Sequence, residues 1–136
     1  GCLKVGMSVS LACPEGYHPD PQILEFAKVY DNFKLVADPK EAAADADVLY
    51  TDVWASMGQE GEAENRKLAF KGYQINDDVM SVAKPDAIVL HCLPAHREEE
   101  ITAKVFEQHA ADIFDEAENR LHAQKAVMVR LMAPEK

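Results

Sequence analysis

A short apolar run that ends at a histidine and a cysteine constrains the fold of this chain more than any other feature. Residues 87–90 read Ala-Ile-Val-Leu and lead into His91, Cys92, Leu93 and Pro94. A run rich in β-branched residues is typical of a strand that is buried on both faces of a parallel sheet. Pro94 ends the strand, because proline has no N–H for the ladder. We therefore predict a central strand over 87–91, with an imidazole and a thiol at its carboxyl end, where open α/β sheets bind ligands.

Similar strand patterns alternate with helical patterns along the whole chain. The other predicted strands are Val9–Cys13, Lys34–Ala37, Asp47–Thr51 and Asp112–Phe114, and helices are predicted at about 21–30, 38–44, 62–70, 77–83 and 102–109. Asp115 is predicted to cap a long C-terminal helix from about residue 116, with Glu118 at the capping-box position. Such alternation indicates βαβ units. The predicted fold class is α/β: a Rossmann-like parallel sheet with helices on both faces, lacking its first strand, plus a long C-terminal helix.

Length, charge and cysteine content exclude several classes of protein. A chain of 136 residues is one domain's worth, and its net charge of −10 argues against nucleic acid or an anionic membrane surface as a partner. No apolar run approaches the length of a membrane span, and the N-terminus has no signal-peptide pattern. Cys2, Cys13 and Cys92 form an odd set without the spacing of a disulfide framework. We therefore predict free thiols and a cytoplasmic location.

Side chains that could bind a substrate or take part in a reaction follow three of the predicted strands. They are Asp52, Ser56 and Met57 after the third strand, His91 and Cys92 after the fourth, and Glu116, Glu118, Asn119 and Arg120 after the last. Parallel strands would bring these ends to one edge of the sheet. Asp52 is suited to an ammonium group, Arg120 to a carboxylate, a phosphate or a developing oxyanion, and His91 to a polarised carbonyl.

Less specific interpretations of these residues remain open. Cys92 is consistent with a nucleophile, a weak hydrogen-bond partner, an amine-positioning group or a small buried apolar residue. Asp52 could cap a turn, and Glu116 and Arg120 could be solvated charges on a helix. A metal site is not expected, because His91 and Cys92 are adjacent on an extended chain and point to opposite faces. The chain also has no glycine-rich phosphate loop of the dinucleotide or P-loop kind.

Three motifs in order resemble those of the ornithine carbamoyltransferases. They are Asp-Val-Trp-Ala-Ser-Met-Gly at 52–58, His-Cys-Leu-Pro at 91–94 and Phe-Asp-Glu-Ala-Glu-Asn-Arg at 114–120. The resemblance covers nearly the whole chain, including Ala-Cys-Pro-Glu-Gly-Tyr at 12–17. It implies that residues 1–136 are the second, ornithine-binding domain, and that the C-terminal helix packs back on a first domain.

The resemblance also implies a role for each site residue. Asp52, Ser56 and Met57 would bind ornithine, Cys92 and Leu93 would line the place where its δ-amine meets carbamoyl phosphate, and His91 and Arg120 would contact the carbamoyl group. The implied reaction transfers the carbamoyl group to ornithine, gives citrulline and phosphate, and needs no metal or organic cofactor. The complete enzymes of the family form trimers, so a homotrimer or higher homo-oligomer is expected. The resemblance further predicts a cis bond between Leu93 and Pro94.

Departures from the family pattern leave other interpretations open. A phosphate-binding Ser-x-Arg-Thr-Arg segment and an Asp-Gly-Asn-Asn turn are not found in the sequence, and Glu98 occupies a position where many relatives have glycine. We therefore expect Val9–Cys13 and Asp47–Thr51 to flank the place of an absent strand, and the chain alone not to be a stable, active enzyme. The alternatives are a non-catalytic remnant that binds an amino acid or a partner chain, a carbamoyltransferase for another amine such as putrescine, and an enzyme that uses Cys92 as a covalent nucleophile.

Overall fold

Parallel strands alternate with helices in this protein, which confirms the predicted α/β class. The computed structural model describes residues 1–55 and 60–133. The strands are β1 (Val9–Ala12), β2 (Phe33–Val36), β3 (Val48–Thr51) and β4 (Ile88–His91). The helices are α1 (Pro21–Ala27), α2 (Pro39–Ala43), α3 (Ala63–Ala69), α4 (Asp77–Met80), α5 (Ala103–Gln108) and α6 (Ala110–Met132), with 3-10 turns at Cys2–Val5 and Glu60–Glu62. None of the described helices is long and apolar enough to cross a membrane.

Four helices begin at a short polar side chain that accepts a backbone N–H, as helix N-termini commonly do. Two of them, α1 and α2, also have proline at a first helical position, where its missing N–H has no consequence. The caps are Asp20, which accepts from Gln22 at 2.8 Å, Asp38 from Lys40 at 2.8 Å, Asn76 from Val79 at 3.1 Å and Thr102 from Val105 at 3.3 Å. These local signals explain why the predicted starts lie close to the observed ones.

The strands form two separate parallel pairs and not one continuous sheet. β1 pairs with β2, and β3 pairs with β4, in a register that sets Val48 opposite Ile88 and Thr51 opposite His91. A cavity of about 420 Å³ is lined by residues of both β1 and β3, together with side chains such as Trp54, Arg66 and Phe70. This arrangement agrees with the prediction that β1 and β3 flank a position that no strand of residues 1–55 and 60–133 occupies.

The apolar core of the described residues lies around the second strand pair. It comprises Ala43, Leu49, Ile75, Val79, Ala87, Val89, Ile101, Val105, Phe106 and Ile113. Val89 on β4 is completely buried, and so is Ile113 on α6. The core therefore anchors α5 and the start of α6 against β4, and it holds the carboxyl end of β4 in place.

The predicted start of the C-terminal helix and the predicted last strand were wrong. Residues 112–114 lie inside α6, which begins at Ala110 with His109 as its N-cap, so Asp115 is not a cap and Glu118 is not part of a capping box. Glu118 instead contacts His122 one turn later, with 2.9 Å between Oε1 and Nε2. A three-residue apolar run does not distinguish strand from helix. Here helical neighbours on both sides and the burial of Ile113 decided in favour of helix.

Candidate active site

The parallel register of β3 and β4 brings their following residues to one edge. Thr51 lies opposite His91, so the next residues, Asp52 and Cys92, follow the ends of the two strands side by side. Asp52, His91 and Cys92 each place one potential ligand atom within 4.8 Å of the other two. Asp52 is exposed, Cys92 is half-buried and His91 is fully buried. The structure thus brings together three of the predicted site residues.

The thiol of Cys92 lies in an acidic environment. Burial and a hydrogen bond to Asp52 raise its pKa above the ordinary value, and the charge of Glu116 on α6 acts in the same direction. Tyr50 lies two residues before Asp52, and burial together with Cys92 and Glu116 raises its pKa as well. At neutral pH the thiol is therefore protonated, and the cluster of Tyr50, Asp52, Cys92 and Glu116 is suited to a cation.

Both ring nitrogens of His91 already have protein partners. The backbone N–H of Leu93 donates to Nδ1 at 2.9 Å, and Nε2 lies 3.0 Å from Oε1 of Glu100. Glu100 is also fully buried, and its Oε1 accepts the N–H of His96 at 2.6 Å. The contact between His91 and a carbamoyl group remains a prediction, and this hydrogen bonding does not favour it.

The backbone turns sharply between Cys92 and Pro94. The Leu93–Pro94 peptide bond is cis, as predicted, and Leu93 has a left-handed φ of 54°. A left-handed backbone is uncommon for a residue other than glycine, asparagine or aspartate. The turn sets Leu93 beside Cys92 at the edge of the site.

The structure does not bring every predicted residue to the cluster. Arg120 lies one helical turn after Glu116 on α6, is exposed, and makes no ion pair or hydrogen bond with residues 1–55 or 60–133. Glu118 and Asn119 are also exposed. Ser56 and Met57 lie outside the described residues. The roles predicted for Arg120, Ser56 and Met57 therefore remain predictions.

Two residues near the site were not predicted from the sequence. Tyr50 precedes Asp52 by two positions, and the alternation of side chains along a strand could have placed Tyr50 on the same face as Asp52. Glu100 stands in a polar loop beside two similar residues, Glu98 and Glu99. Nothing local distinguishes it from them, because its burial depends on contacts with β4.

The donors at this edge fit a metal ion poorly. Both imidazole nitrogens are used within the protein, which leaves the carboxylate of Asp52 and the thiol of Cys92. A thiol must lose its proton to bind a metal, and the raised pKa of Cys92 opposes this. An ammonium group, by contrast, suits exposed Asp52 directly.

Sequence comparison identifies the family. A model described as "Aspartate/ornithine carbamoyltransferase, Asp/Orn binding domain" matches residues 1–131. The chain belongs to this carbamoyltransferase family. It is 55% identical over 130 residues to an ornithine carbamoyltransferase from Geobacter metallireducens, a match that spans 94% of this chain and 43% of the relative. It is 54% identical over 139 residues to one from Nostoc punctiforme, which spans 99% of this chain and 45% of the relative.

Solved structures of carbamoyltransferases have the same fold. The anabolic ornithine carbamoyltransferase from Campylobacter jejuni superposes with a TM-score of 0.88 at 44% identity, over 93% of this chain and 44% of that one. The ornithine carbamoyltransferase from Pyrococcus furiosus gives a TM-score of 0.86 at 49% identity, over 98% of this chain and 44% of that one. The chain therefore spans less than half the length of the relatives that it matches.

Proposed function

We propose that this domain binds ornithine for a carbamoyl transfer that yields citrulline and phosphate. The observation that carries the proposal is the acidic edge at β3 and β4, where Asp52 lies beside the protonated thiol of Cys92. The relatives from Geobacter metallireducens and Nostoc punctiforme are named ornithine carbamoyltransferases. A cationic amine is the ligand that such an edge favours.

Asp52 and Cys92 have complementary parts in the proposed chemistry. The Asp52 carboxylate accepts hydrogen bonds from the ammonium group of the substrate, and it is exposed enough to receive it. The neutral thiol of Cys92 and the turn at Leu93 line the place where the amine reacts. Ser56 and Met57 are proposed to bind ornithine as well, as the resemblance to the family implies.

The reaction requires the amine in its neutral form. The δ-ammonium releases one proton to solvent, the nitrogen lone pair attacks the carbamoyl carbon, and a tetrahedral oxyanion with a cationic nitrogen forms. Collapse of this intermediate breaks the bond between the carbamoyl carbon and the phosphate oxygen, the nitrogen passes its surplus proton to the departing phosphate, and citrulline remains. Arg120 is proposed to stabilise the oxyanion, because a guanidinium offers fixed donors to developing negative charge.

We propose that carbamoyl phosphate is held mainly by residues outside 1–136. The cluster at the edge contains the carboxylates of Asp52 and Glu116, and carboxylates repel a phosphate. Arg120 lies one helical turn after Glu116 on α6. In the complete enzyme, which we propose is a cytoplasmic homo-oligomer, the residues that hold carbamoyl phosphate belong to another domain or subunit. The exposed apolar side chains of α6, among them Leu121, Met128 and Leu131, are proposed to pack there.

Replacing Asp52 by asparagine tests the proposal. Asp52→Asn removes the charged acceptor of a charge-assisted hydrogen bond, a loss of about 1.5–3 kcal/mol. Ornithine affinity, measured by titration calorimetry, should fall by about ten- to a hundred-fold. Asp47→Asn is the matched control, because Asp47 precedes β3 and pairs with Lys84 at 2.6 Å, at the opposite end of the strand. The control should leave ornithine affinity unchanged.

A chimaera extends the test to catalysis. Residues 1–131 would replace the matching part of the Geobacter metallireducens enzyme, and citrulline formation would be followed. Asp52→Asn in this chimaera should raise the KM for ornithine far more than the KM for carbamoyl phosphate. An equal rise for both substrates would contradict the assignment of Asp52 to ornithine.

The same measurements separate the alternatives. Binding of ornithine by a chimaera that forms no citrulline would support the non-catalytic remnant. Tighter binding of putrescine than of ornithine would support a related carbamoyltransferase for that amine. The Ser-Met-Gly segment at 56–58 favours ornithine, because putrescine carbamoyltransferases resemble this chain at His-Cys-Leu-Pro but not there.

A further inference from the structure

The most enclosed polar contact in the described part of the chain is the pair of His91 and Glu100. Both side chains are fully buried, and Nε2 of His91 lies 3.0 Å from Oε1 of Glu100. Buried polar groups of this kind are normally retained with partners that fix their geometry. The pair adjoins the candidate active site, because His91 precedes Cys92 directly.

The hydrogen bonds determine which ring nitrogen carries the proton. The backbone N–H of Leu93 can only donate, and it points at Nδ1 of His91 at 2.9 Å. Nδ1 is therefore the unprotonated acceptor, and Nε2 carries the hydrogen that is donated to Glu100. A carboxylate at Glu100 selects this tautomer, since it offers only acceptors.

Leu93, whose N–H donates to His91, has an uncommon backbone conformation that needs stabilising contacts. Leu93 has a φ of 54°, in the left-handed region, and lies between Cys92 and Pro94. The bond to Nδ1 of His91 holds this conformation. Oε1 of Glu100 also accepts the N–H of His96 at 2.6 Å, so one carboxylate ties together the two ends of the segment 91–96.

We infer that Glu100 is a positioning residue, which fixes the tautomer of His91 and thereby holds the Cys92–Leu93 turn beside Asp52. The inference rests on the proposed function for its consequence, the binding of ornithine. In this arrangement His91 supports the site from the core side and does not touch the substrate. Glu100 acts through His91, and Cys92 and Asp52 face the ligand.

Two substitutions at one position test the inference in the full 136-residue chain. Glu100→Gln keeps a carbonyl oxygen that can accept from His91 and His96, and Oε2 of Glu100 has no hydrogen-bond partner among the described residues. Glu100→Ala removes both bonds. Glu99→Gln is the control, because Glu99 loses the same charge in the same loop but pairs with Lys67 at 2.9 Å.

The first readouts need no ligand. Nitrogen NMR of the imidazole in the wild-type chain should report an unprotonated Nδ1 and a protonated Nε2, and the Leu93 amide should exchange slowly. Glu100→Gln and Glu99→Gln should preserve both properties. Glu100→Ala should give a mixture of tautomers and at least ten-fold faster exchange at Leu93.

Ornithine affinity, measured in the chimaera with the Geobacter metallireducens enzyme, is the second readout. It should fall at least ten-fold in Glu100→Ala and stay within about three-fold in Glu100→Gln and Glu99→Gln. A protonated Nδ1 in the wild-type chain overturns the inference, even if Glu100→Ala does not fold. So does a folded Glu100→Ala chain with unchanged tautomer and exchange. If the chimaera binds no ornithine, the proposed function fails, while the NMR and exchange results still decide on Glu100.

Discussion

Glu98 combines a left-handed backbone with a useful side chain. Its φ is 70°, and its Oε1 accepts the N–H of Ala103 at the start of α5 at 2.8 Å. A left-handed conformation costs an L-residue about 1–2 kcal/mol, whereas glycine adopts it freely. The conformational cost of the left-handed backbone at Glu98 is therefore nearly offset by the hydrogen bond from Ala103 to its side chain.

A pair of substitutions at Glu98 separates the two effects. Both Glu98→Gly and Glu98→Ala remove the hydrogen bond to Ala103, but only glycine relieves the backbone. We expect the glycine variant to be more stable than the alanine variant by about 1 kcal/mol in urea unfolding. Equal midpoints for the two variants would show that residue 98 does not keep its left-handed backbone in solution.

The three cysteines should differ in reactivity. Cys2 is exposed, whereas burial raises the pKa of Cys13, and burial with Asp52 and Glu116 raises that of Cys92. Because the thiolate is the reactive form, iodoacetamide at pH 7.5 should modify Cys2 first. The rate at Cys92 should rise with pH only above the ordinary thiol range, and Asp52→Asn should shift that rise to lower pH. Peptide mapping by mass spectrometry measures each rate, and preferential modification of Cys92 at neutral pH would favour the covalent alternative.

Among the secondary-structure elements, α6 divides into an anchored base and an exposed remainder. Ile113 is completely buried, whereas Leu121, Met128 and Leu131 are more than half exposed. Leu121 and Met128 are seven residues apart, so they lie on the same side of α6. Within the described residues, however, only the first turns of α6 contribute to the core.

Alanine substitutions on α6 should reflect this division. Ile113→Ala leaves a cavity in the core that also contains Val89 and Val105, and we expect a loss of about 2–5 kcal/mol in the free energy of unfolding. Leu121→Ala, on the exposed part of the same helix, should change it by less than about 0.5 kcal/mol. Urea unfolding followed by circular dichroism measures both. A large loss at Leu121 in the isolated chain would mean that this surface is covered, for example by self-association.

At the scale of the whole molecule, β1 and β3 each have one edge that no strand among the described residues pairs with. Each is hydrogen-bonded on the other side, to β2 and to β4. Along a strand, the N–H groups of successive residues point to opposite sides, so about half of the amides in each strand face the unpaired edge.

Amide hydrogen exchange should report this alternation. Within Val9–Ala12 and Val48–Thr51 we expect fast-exchanging amides to alternate with protected ones, because an amide without an acceptor exchanges readily. NMR of the isolated chain resolves single residues. The amides of Phe106 and Ile113 serve as the comparison, since both residues are buried and their N–H groups donate to Thr102 and His109 at 3.0 and 3.1 Å. Uniform protection across β1 and β3 would contradict the two-sheet arrangement.

Local chemistry in the sequence determined most of the elements and the place of the site. Prolines at 21 and 39, caps such as Asp38 and Thr102, and the apolar run before His91 act within a few residues, so their effects can be predicted from the sequence. The parallel order of β3 and β4 then follows from alternation, and it correctly placed Asp52 near Cys92. The resemblance to the family supplied the cis bond at Leu93–Pro94 and the likeness to ornithine carbamoyltransferases.

Tertiary contacts decided the rest, because they join residues whose sequences carry no mark of each other. Glu100 becomes the buried partner of His91 only when its loop closes over the end of β4, and Glu98 and Glu99 look the same in the sequence. Ile113 lies in a helix and not in a strand. Its burial against β4 and its helical neighbours outweigh the weak strand preference of the short apolar run. The division into two strand pairs likewise depends on which edges meet in space, and short-range propensity does not specify that.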